Sequence, residues 1–481
     1  MTSNTRSLIS ITILTSTMSA LLAYLIIYLS NYILLIANLL PVSISSAYLL
    51  YKLKNNKGEL LTNCTNRTRM PFLLFGLLVV PVSVTIAISS LYSYGLYLAA
   101  ISLLIPLNVI HIFCYLPLSI YDRYFKKNAE EPVVPPLLTV IIPAYNEETN
   151  IKRTLDSVIQ NDYPNKEIIV VDDGSVDNTY AIASTCLQQL PGNRFSLIRK
   201  ENGGKASAIN LALRFARGDI VIIIDADSMI EKGALKEIVK EFHDPSTMAV
   251  AGKVKVFNKS NILTNCTALE LVMGANLLRP PFSLFGVVMI VPGGIGAFSK
   301  RSIMQRGLYD NDTLTEDFDL TMKLLKGGGR AVGIHAVSYT EVPTTIRDFY
   351  KQRTRWNRGN FQTLLKHRDI MGNGRYDMLY KFGYPITLLT FLLPAFLDFV
   401  VTAFAIIAIL DGMWSSIIIP FTMFMSLQFL LSAVAIVMDG NNDWKLMLYS
   451  PFAIMGYKQI VNFIIVKSIF EVILHRNVRW T

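Results

Sequence analysis

Long apolar runs bracket a stretch that has none, and this arrangement constrains the chain more than any other feature. Four runs open the 481-residue sequence, at about 8–29, 32–51, 71–91 and 95–120, and two more follow at about 383–410 and 415–438. Each is long enough to cross a hydrocarbon core of about 30 Å as a helix. The composition agrees, because 52% hydrophobic and 17% charged is too apolar for a soluble chain of this size. The first run is too long, and too closely followed by the second, to be a signal peptide. The loop at 52–70 carries Lys52, Lys54, Lys57, Arg67 and Arg69 against one acid, Glu59. The positive-inside rule makes that loop cytoplasmic, and with it both ends of the leading block and whatever follows. The sequons at Asn63 and Asn66 then face inward and are expected to carry no glycan. A weaker run at about 449–474 is interrupted by Lys458, Lys467 and Glu471. The basic tail HRNVRWT behind it should stay inside, so the weak run is expected to be interfacial or re-entrant.

The balance of 45 Lys and Arg against 35 Asp and Glu leaves +10. That excess suits cytoplasmic loops beside anionic lipid, or an anionic ligand. Nucleic acid is not an expected partner, since no basic run with interleaved aromatics occurs outside the 350s. Cys64, Cys114, Cys186 and Cys266 form no CxxC pair and read as reduced structural residues, without a disulfide framework or zinc site.

Between about 132 and 345 the pattern changes to alternating strands and helices. LLTVIIPAY, KEIIVVDDGS, RFSLIRK and GDIVIIIDADS read as strands, with helices at about 147–161, 177–190 and 205–216 between them. That alternation predicts a parallel, doubly wound α/β sheet. Ligands of such sheets sit beyond the carboxyl ends of the strands. The residues there are strongly biased. One strand ends in Asp172-Asp173-Gly174-Ser175 and another in Asp225-Ala226-Asp227-Ser228, and a third leads to Asn202-Gly203-Gly204-Lys205 at a helix start. Neither GxxxxGK[ST] nor GxGxxG is present at these turns.

Asp225 and Asp227 have the spacing to reach one hard cation and the diphosphate it bridges; Mg²⁺ or Mn²⁺ suits a pair with no His or Cys beside it. The alternative is a solvated turn. Asp172 and Asp173 can hydrogen-bond a nucleobase or ribose, or simply make a turn and a helix N-cap. Lys205 can offer phosphate a cation together with free backbone N–H groups, or be a surface lysine. In LTEDFDL, Thr315 can cap a helix and Glu316, Asp317 and Asp319 can favour its first turn. A carboxylate aimed at an acceptor hydroxyl would instead be a general base. The glycines of VPGGIGAFSK allow close approach of a sugar or make a turn. Finally, YKQRTRWNRGNFQ crowds Lys351, Arg353, Arg355 and Arg358 around Trp356. Such groups gather at lipid headgroups, and they also grip strong anions.

Taken in order, DDGS, NGGKASAIN, DAD, TED and QRTRW resemble the membrane-bound family 2 glycosyltransferases with a GT-A nucleotide-sugar domain, such as cellulose, hyaluronan and poly-N-acetylglucosamine synthases. The resemblance covers about 137–365. It implies a Rossmann-like α/β GT-A cytoplasmic domain at 132–345 and an interfacial helix with QxxRW at 346–375. Transmembrane blocks would flank them, about four helices at 1–121 and two or three at 376–481, in a multi-pass protein of the cell membrane. It implies that Asp172 and Asp173 contact the nucleoside, Lys205 the diphosphate, and Asp225 and Asp227 the metal and donor. Asp317 would be the base, with Glu316 and Trp356 contacting the acceptor. Gln352, Arg355 and Trp356 would bind the diphosphate and position the acceptor end, with Arg355 forking to phosphate oxygens and Trp356 facing a sugar ring. Lys351 and Arg358 are left to the lipid interface.

The implied reaction is inverting transfer from a nucleotide-sugar, a UDP-sugar in the nearest parallels, to a growing polysaccharide that passes through the membrane. The alternative is a single transfer to a lipid acceptor, as in enzymes resembling ceramide glucosyltransferases. A transporter or inactive subunit would have lost some acidic motif, and none is missing. Two departures stand out. No long extension follows the last run, so a cyclic-dinucleotide-controlled cellulose synthase is not expected. The leading block also has two more spans than many relatives.

Overall fold

The computed structural model describes residues 3–29, 112, 115–126, 131–132, 134–188, 194–440 and 443–474. The second and third apolar runs, most of the fourth, the loop at 52–70 with its sequons, Cys64, Cys114 and the basic tail lie outside the described residues. The chain divides into two compact units. One comprises the described residues of Met1–Lys126, Asn265–Leu284 and Pro385–Lys467, the other those of Lys127–Thr264, Phe285–Tyr384 and Ser468–Thr481.

The second unit is built on one eight-stranded sheet. Its strands are β1 (Leu138–Ala144), β2 (Lys166–Asp172), β3 (Phe195–Arg199), β4 (Ile220–Ile223), β5 (Met229–Ile230), β6 (Thr247–Val256), β7 (Gly296–Ser299) and β8 (Arg330–Thr340), in the order β3-β2-β1-β4-β7-β6-β8-β5. Every residue of β1 and β4 is buried, as a strand covered on both faces requires. The helices of this unit that bear on the site are α1 (Ile151–Ile159), α2 (Thr179–Leu187), α3 (Lys205–Phe215), α4 (Ala234–Glu241), α5 (Lys300–Arg306), α6 (Glu316–Lys326) and α7 (Ile346–Lys366). α1 shows the reason for its placement. Ile151, Thr154, Leu155 and Val158 are its buried residues, a single stripe at helical spacing, and the three apolar ones join Val140, Val170 and Ile222 in the core.

The pairings β1–β2, β2–β3 and β1–β4 are parallel, as the alternation predicts. The rest of the sheet is mixed, which corrects the wholly parallel expectation. β7 runs antiparallel between β4 and β6, and β8 is parallel to β6 and antiparallel to β5. The reversal has a consequence for the site. An antiparallel strand begins where its neighbour ends, so the loop Pro292–Ile295 lies against the carboxyl end of β4, and Asp225 N–H donates to Gly293 O at 3.1 Å. A period-two pattern cannot show strand direction, and β7 is only four residues long.

α7 docks on the start of α6. A methyl group at Gly359 would lie 2.8 Å from Thr315 N, so only glycine lets the two backbones come this close. Thr315 stands at the N-cap of α6 but its side chain makes no cap bond, contrary to the expected capping role; its hydroxyl faces that of Thr363 at 3.3 Å. The acids Glu316, Asp317 and Asp319 do fall in the first turn, where the helix dipole favours them.

In the other unit the first run appears as a helix, Ser3–Leu29, and the two strong later runs as Tyr384–Leu410 and Trp414–Asp439. Among the described residues three segments, Leu379–Leu410, Phe421–Asp439 and Trp444–Ile473, are long and apolar enough to cross a bilayer. The last of these is the weak run, and its helix is broken. Met455 and Gly456 leave helical geometry before the chain resumes at Lys458. Gln459 Oε1 accepts from Gly456 N at 2.7 Å across the break.

Candidate active site

Strand order reverses direction around β1, and the crevice beyond the carboxyl ends of β1, β2 and β4 collects the chemistry. At its centre Lys205, the first residue of α3, puts its ammonium 2.5 Å from Asp225 Oδ1 and 3.3 Å from Glu316 Oε1. Burial pulls the lysine pKa down, but the carboxylates of Asp225 and Glu316 more than offset it and keep the group firmly cationic. Three motifs far apart in sequence thus meet at one charge.

Asp317 stands beside Glu316 at the start of α6. Burial and then the Glu316 charge push its carboxyl up to about 7, against the pull of Lys205 and a hydrogen bond from Phe318 N. Asp227 is raised as well, first by burial and then by Asp225. Its Oδ1 accepts from Ser228 at 3.0 Å and from Thr340 at 3.4 Å. Asp225 and Asp227 are therefore two repelling carboxylates at one strand end, an all-oxygen donor set that a divalent cation would relieve. The residues fit such an ion.

Asp172 and Asp173 are 1% and 3% exposed and are engaged by the chain itself. Asp172 Oδ1 accepts from Ser175 N at 3.1 Å, and Arg199 Nε lies 3.2 Å from its Oδ2. Asp173 accepts from Lys200 Nζ at 2.5 Å, from Gly203 N at 3.1 Å and from Gly204 N at 2.8 Å. The glycine amides expected to face phosphate are thus turned to Asp173. That carboxylate fixes the loop which delivers Lys205.

Gly293 completes this centre. A Cβ there would lie 2.5 Å from Lys205 Nζ and 2.9 Å from Asp225 Oδ2. The first glycine of VPGG therefore serves close packing at the ion pair. Gly293→Ala is expected to displace that pair and lower turnover by about 10-fold or more with little change in thermal unfolding, since a misplacement of about 1 Å at a reacting centre costs up to about 10². Steady-state rates and a melting curve check it.

The QxxRW residues lie on α7. Gln352, Arg355, Trp356, Gly359 and Thr363 follow helical spacing and share the face that meets Thr315. Arg355 is exposed, Trp356 is half-buried, and Gln352 Oε1 is buried without a hydrogen-bond partner among the described residues. Arg353, buried, stacks its guanidinium over the Trp356 ring at 5.0 Å and the Phe349 ring at 5.1 Å. Arg358 is not a headgroup residue. It is 3% exposed and its Nη1 lies 3.2 Å from Oε2 of the half-buried Glu471, a pairing that corrects the lipid-interface expectation. Lys351 is exposed and 3.8 Å from Asp348. The four cations thus divide the work: one stacks on the indole, one is buried in a pair, and two stay at the surface.

Residues 139–306 match the Glycosyl transferase family 2 model. Poly-beta-1,6-N-acetyl-D-glucosamine synthases of Staphylococcus aureus (strain COL) and Staphylococcus epidermidis are 33% and 32% identical to this chain over 232 residues. The match takes in 48% of this chain and 56% of the relative, so the chain spans about half the length of the curated relatives it matches. A mannosyltransferase from Pyrobaculum calidifontis, solved in complex with GDP-Man and Mn²⁺, superposes with a TM-score of 0.52 at 24% identity, over 72% of this chain and 99% of its own. It shares the fold. The family 2 region ends before α6 and α7, so the TED and QxxRW residues join the site through packing beyond it.

Sequence reading missed two members of the cluster. Glu147 follows β1 and is raised by burial, against a bond from Asn150, with Asp227 and Asp225 adding to the shift. The strand-tip rule, applied to β1 as to β2 and β4, would have found it. Tyr309, 5% exposed, is raised well above its ordinary value by burial and then by Glu316. It is placed through its backbone, which exchanges bonds of 2.9 and 3.0 Å with the Asn210 side chain. No local pattern announces it.

Proposed function

We propose that this chain is an inverting, metal-dependent glycosyltransferase that extends a polysaccharide from a nucleotide-activated sugar at a membrane. The observation that carries the proposal is the meeting of Lys205, Asp225, Glu316 and Asp317 at the carboxyl edge of the sheet. The similarity to poly-beta-1,6-N-acetyl-D-glucosamine synthases supports N-acetylglucosamine as the sugar, with UDP as its carrier in this reading, and the three long apolar helices among the described residues support a membrane setting.

In this reading Asp172 and Asp173 order the nucleoside side of the crevice, and Asp173 also sets the loop before Lys205. Lys205 and Arg355 bind the diphosphate and stabilise the charge that builds on it as the glycosidic bond breaks. Asp225 and Asp227 would hold Mg²⁺ or Mn²⁺, which when bound neutralises phosphate charge. Asp317 accepts the proton of the acceptor hydroxyl as that oxygen attacks the anomeric carbon. Its pKa near 7 suits a base working near neutrality. Gln352, Trp356 and Glu316 hold the acceptor end in line. The test is to give the purified full chain a panel of nucleotide-sugars with Mg²⁺ or Mn²⁺ and size the product. Consumption of one donor with a long product supports the proposal. A single sugar on a lipid would replace the polymerase reading, and no consumption at all would remove the enzyme reading.

A further inference from the structure

Asp319 lies two residues beyond Asp317, so it points to roughly the opposite side of α6. It is completely buried. Its Oδ1 accepts from His367 Nε2 at 2.9 Å and pairs with Lys366 Nζ at 2.9 Å, and Lys323 Nζ stands 3.6 Å from its Oδ2. Burial alone would raise this carboxyl; the bonds from His367 and Lys366 instead bring it down to about 2. Asp310 and Asp312 gather at the same place and could hold an ion by spacing alone. Lys366 already occupies that position, at 2.8 Å from each, and Lys323 reaches Asp310 at 2.7 Å. The cluster is therefore an internal ion pair centred on lysine.

We propose that Asp319 and His367 form a positioning latch that fixes α7, with Gln352, Arg355 and Trp356, against the turn that carries Asp317. This rests on the reading of Asp317 and Arg355 given above. His367 caps the carboxyl end of α7, and Lys366 is its last residue. α6 therefore meets α7 at two points one turn apart: Thr315 against Gly359 and Thr363, and Asp319 against Lys366 and His367. One contact would leave α7 free to swing; two fix its angle. With the second contact released the pivot is the first, at Gly359 and Thr363, about 6–12 Å along the helix from Arg355, so a tilt of about 5–10° moves Arg355 by about 1 Å. Displacements of that size cost up to about 10² in rate.

The chemistry at the latch is specific. An ionised aspartate only accepts, so the imidazole proton is on Nε2. Nδ1 is buried and has no hydrogen-bond partner among the described residues, so the ring is held through this one bond. A buried polar contact of this kind is weak as a source of net stability and is better suited to fixing register. Asp319 and His367 are positioning residues, and neither touches the crevice.

The full-length protein tests this through His367→Ala, His367→Gln, Asp319→Asn and the His367→Ala/Asp319→Asn double variant. Turnover, donor KM and UDP affinity are measured for each, with hydrogen exchange over 346–366. His367→Ala is expected to lower kcat by about 10-fold or more, with donor KM and UDP affinity within about threefold, and to speed exchange in α7 while β1 and β2 stay protected. His367→Gln, whose amide nitrogen can stand in for Nε2, is expected to restore kcat to within about threefold. The double variant should be no slower than the worse single. Unchanged kcat in His367→Ala, no rescue by Gln, additive losses, or a parallel loss of UDP affinity would each overturn the latch. If His367→Ala does not fold, Asp319→Asn and His367→Gln decide by the same split. If the wild-type chain transfers no sugar, the functional reading fails, and exchange in α7 still decides whether the latch exists.

Discussion

Asp317→Asn is expected to lower turnover by about 10²- to 10⁴-fold, the usual contribution of a general base, and to leave UDP affinity within about twofold of wild type. The amide keeps the shape of the carboxylate and removes only its basicity. Arg355→Ala should differ, because it removes a cation proposed to face phosphate: UDP affinity and turnover should fall together. The pH dependence follows from the shift to about 7. A base must be ionised to act, so the wild-type rate should rise with pH through roughly 7 and level off above, and this limb should be missing from the residual rate of Asp317→Asn. Stability runs the other way. An acid whose pKa is raised in the folded state holds its proton more tightly there than in the unfolded chain. Stability should then fall as pH rises from roughly 4, the unfolded value, towards 7. Asp317→Asn is therefore expected to melt higher than wild type at pH 8. A variant that keeps its rate, or that loses UDP as badly as Arg355→Ala, would make Asp317 a structural or metal-site residue.

Removal of divalent ions should be almost as damaging. Asp225 and Asp227 repel each other at one strand end, and Lys205, 2.5 Å from Asp225, also pairs with Glu316. Excess chelator is expected to suppress transfer by about 100-fold or more, with recovery on adding Mg²⁺ or Mn²⁺. Calorimetry should show donor binding that weakens without the ion and, in Asp227→Asn, responds little to it. Full activity in chelator would leave the Asp pair as a turn that holds Lys205.

The parts of this site legible in sequence were those attached to regular elements with strong local patterns. β1, β2 and β4 announce themselves as buried apolar runs, and a polar residue at the end of such a run has few places to go but the crevice. Lys205 was legible for the same reason, at a helix start behind two glycines. What sequence could not show depends on which backbones meet. The Gly203 and Gly204 amides look free in one dimension and are taken by Asp173, thirty residues earlier and adjacent only because β2 and β3 pair. Arg358 reads as a lipid-facing cation until Glu471, distant in sequence, arrives to pair with it. Asp319 reads as one more acid favouring a helix start; its burial depends on where α7 ends. In each case the missing information is a tertiary partner, and the side chain's own chemistry does not specify it.

The most direct test of single displacement at this centre is the anomeric configuration of the first bond formed, read by NMR from the coupling at the anomeric proton before any hydrolysis. With Asp317 as base and no enzyme nucleophile, attack comes from the face opposite the leaving diphosphate. An α-linked nucleotide-sugar is therefore expected to yield a β-linked product. A product that retains the donor's configuration would contradict direct attack by the acceptor and the role proposed for Asp317.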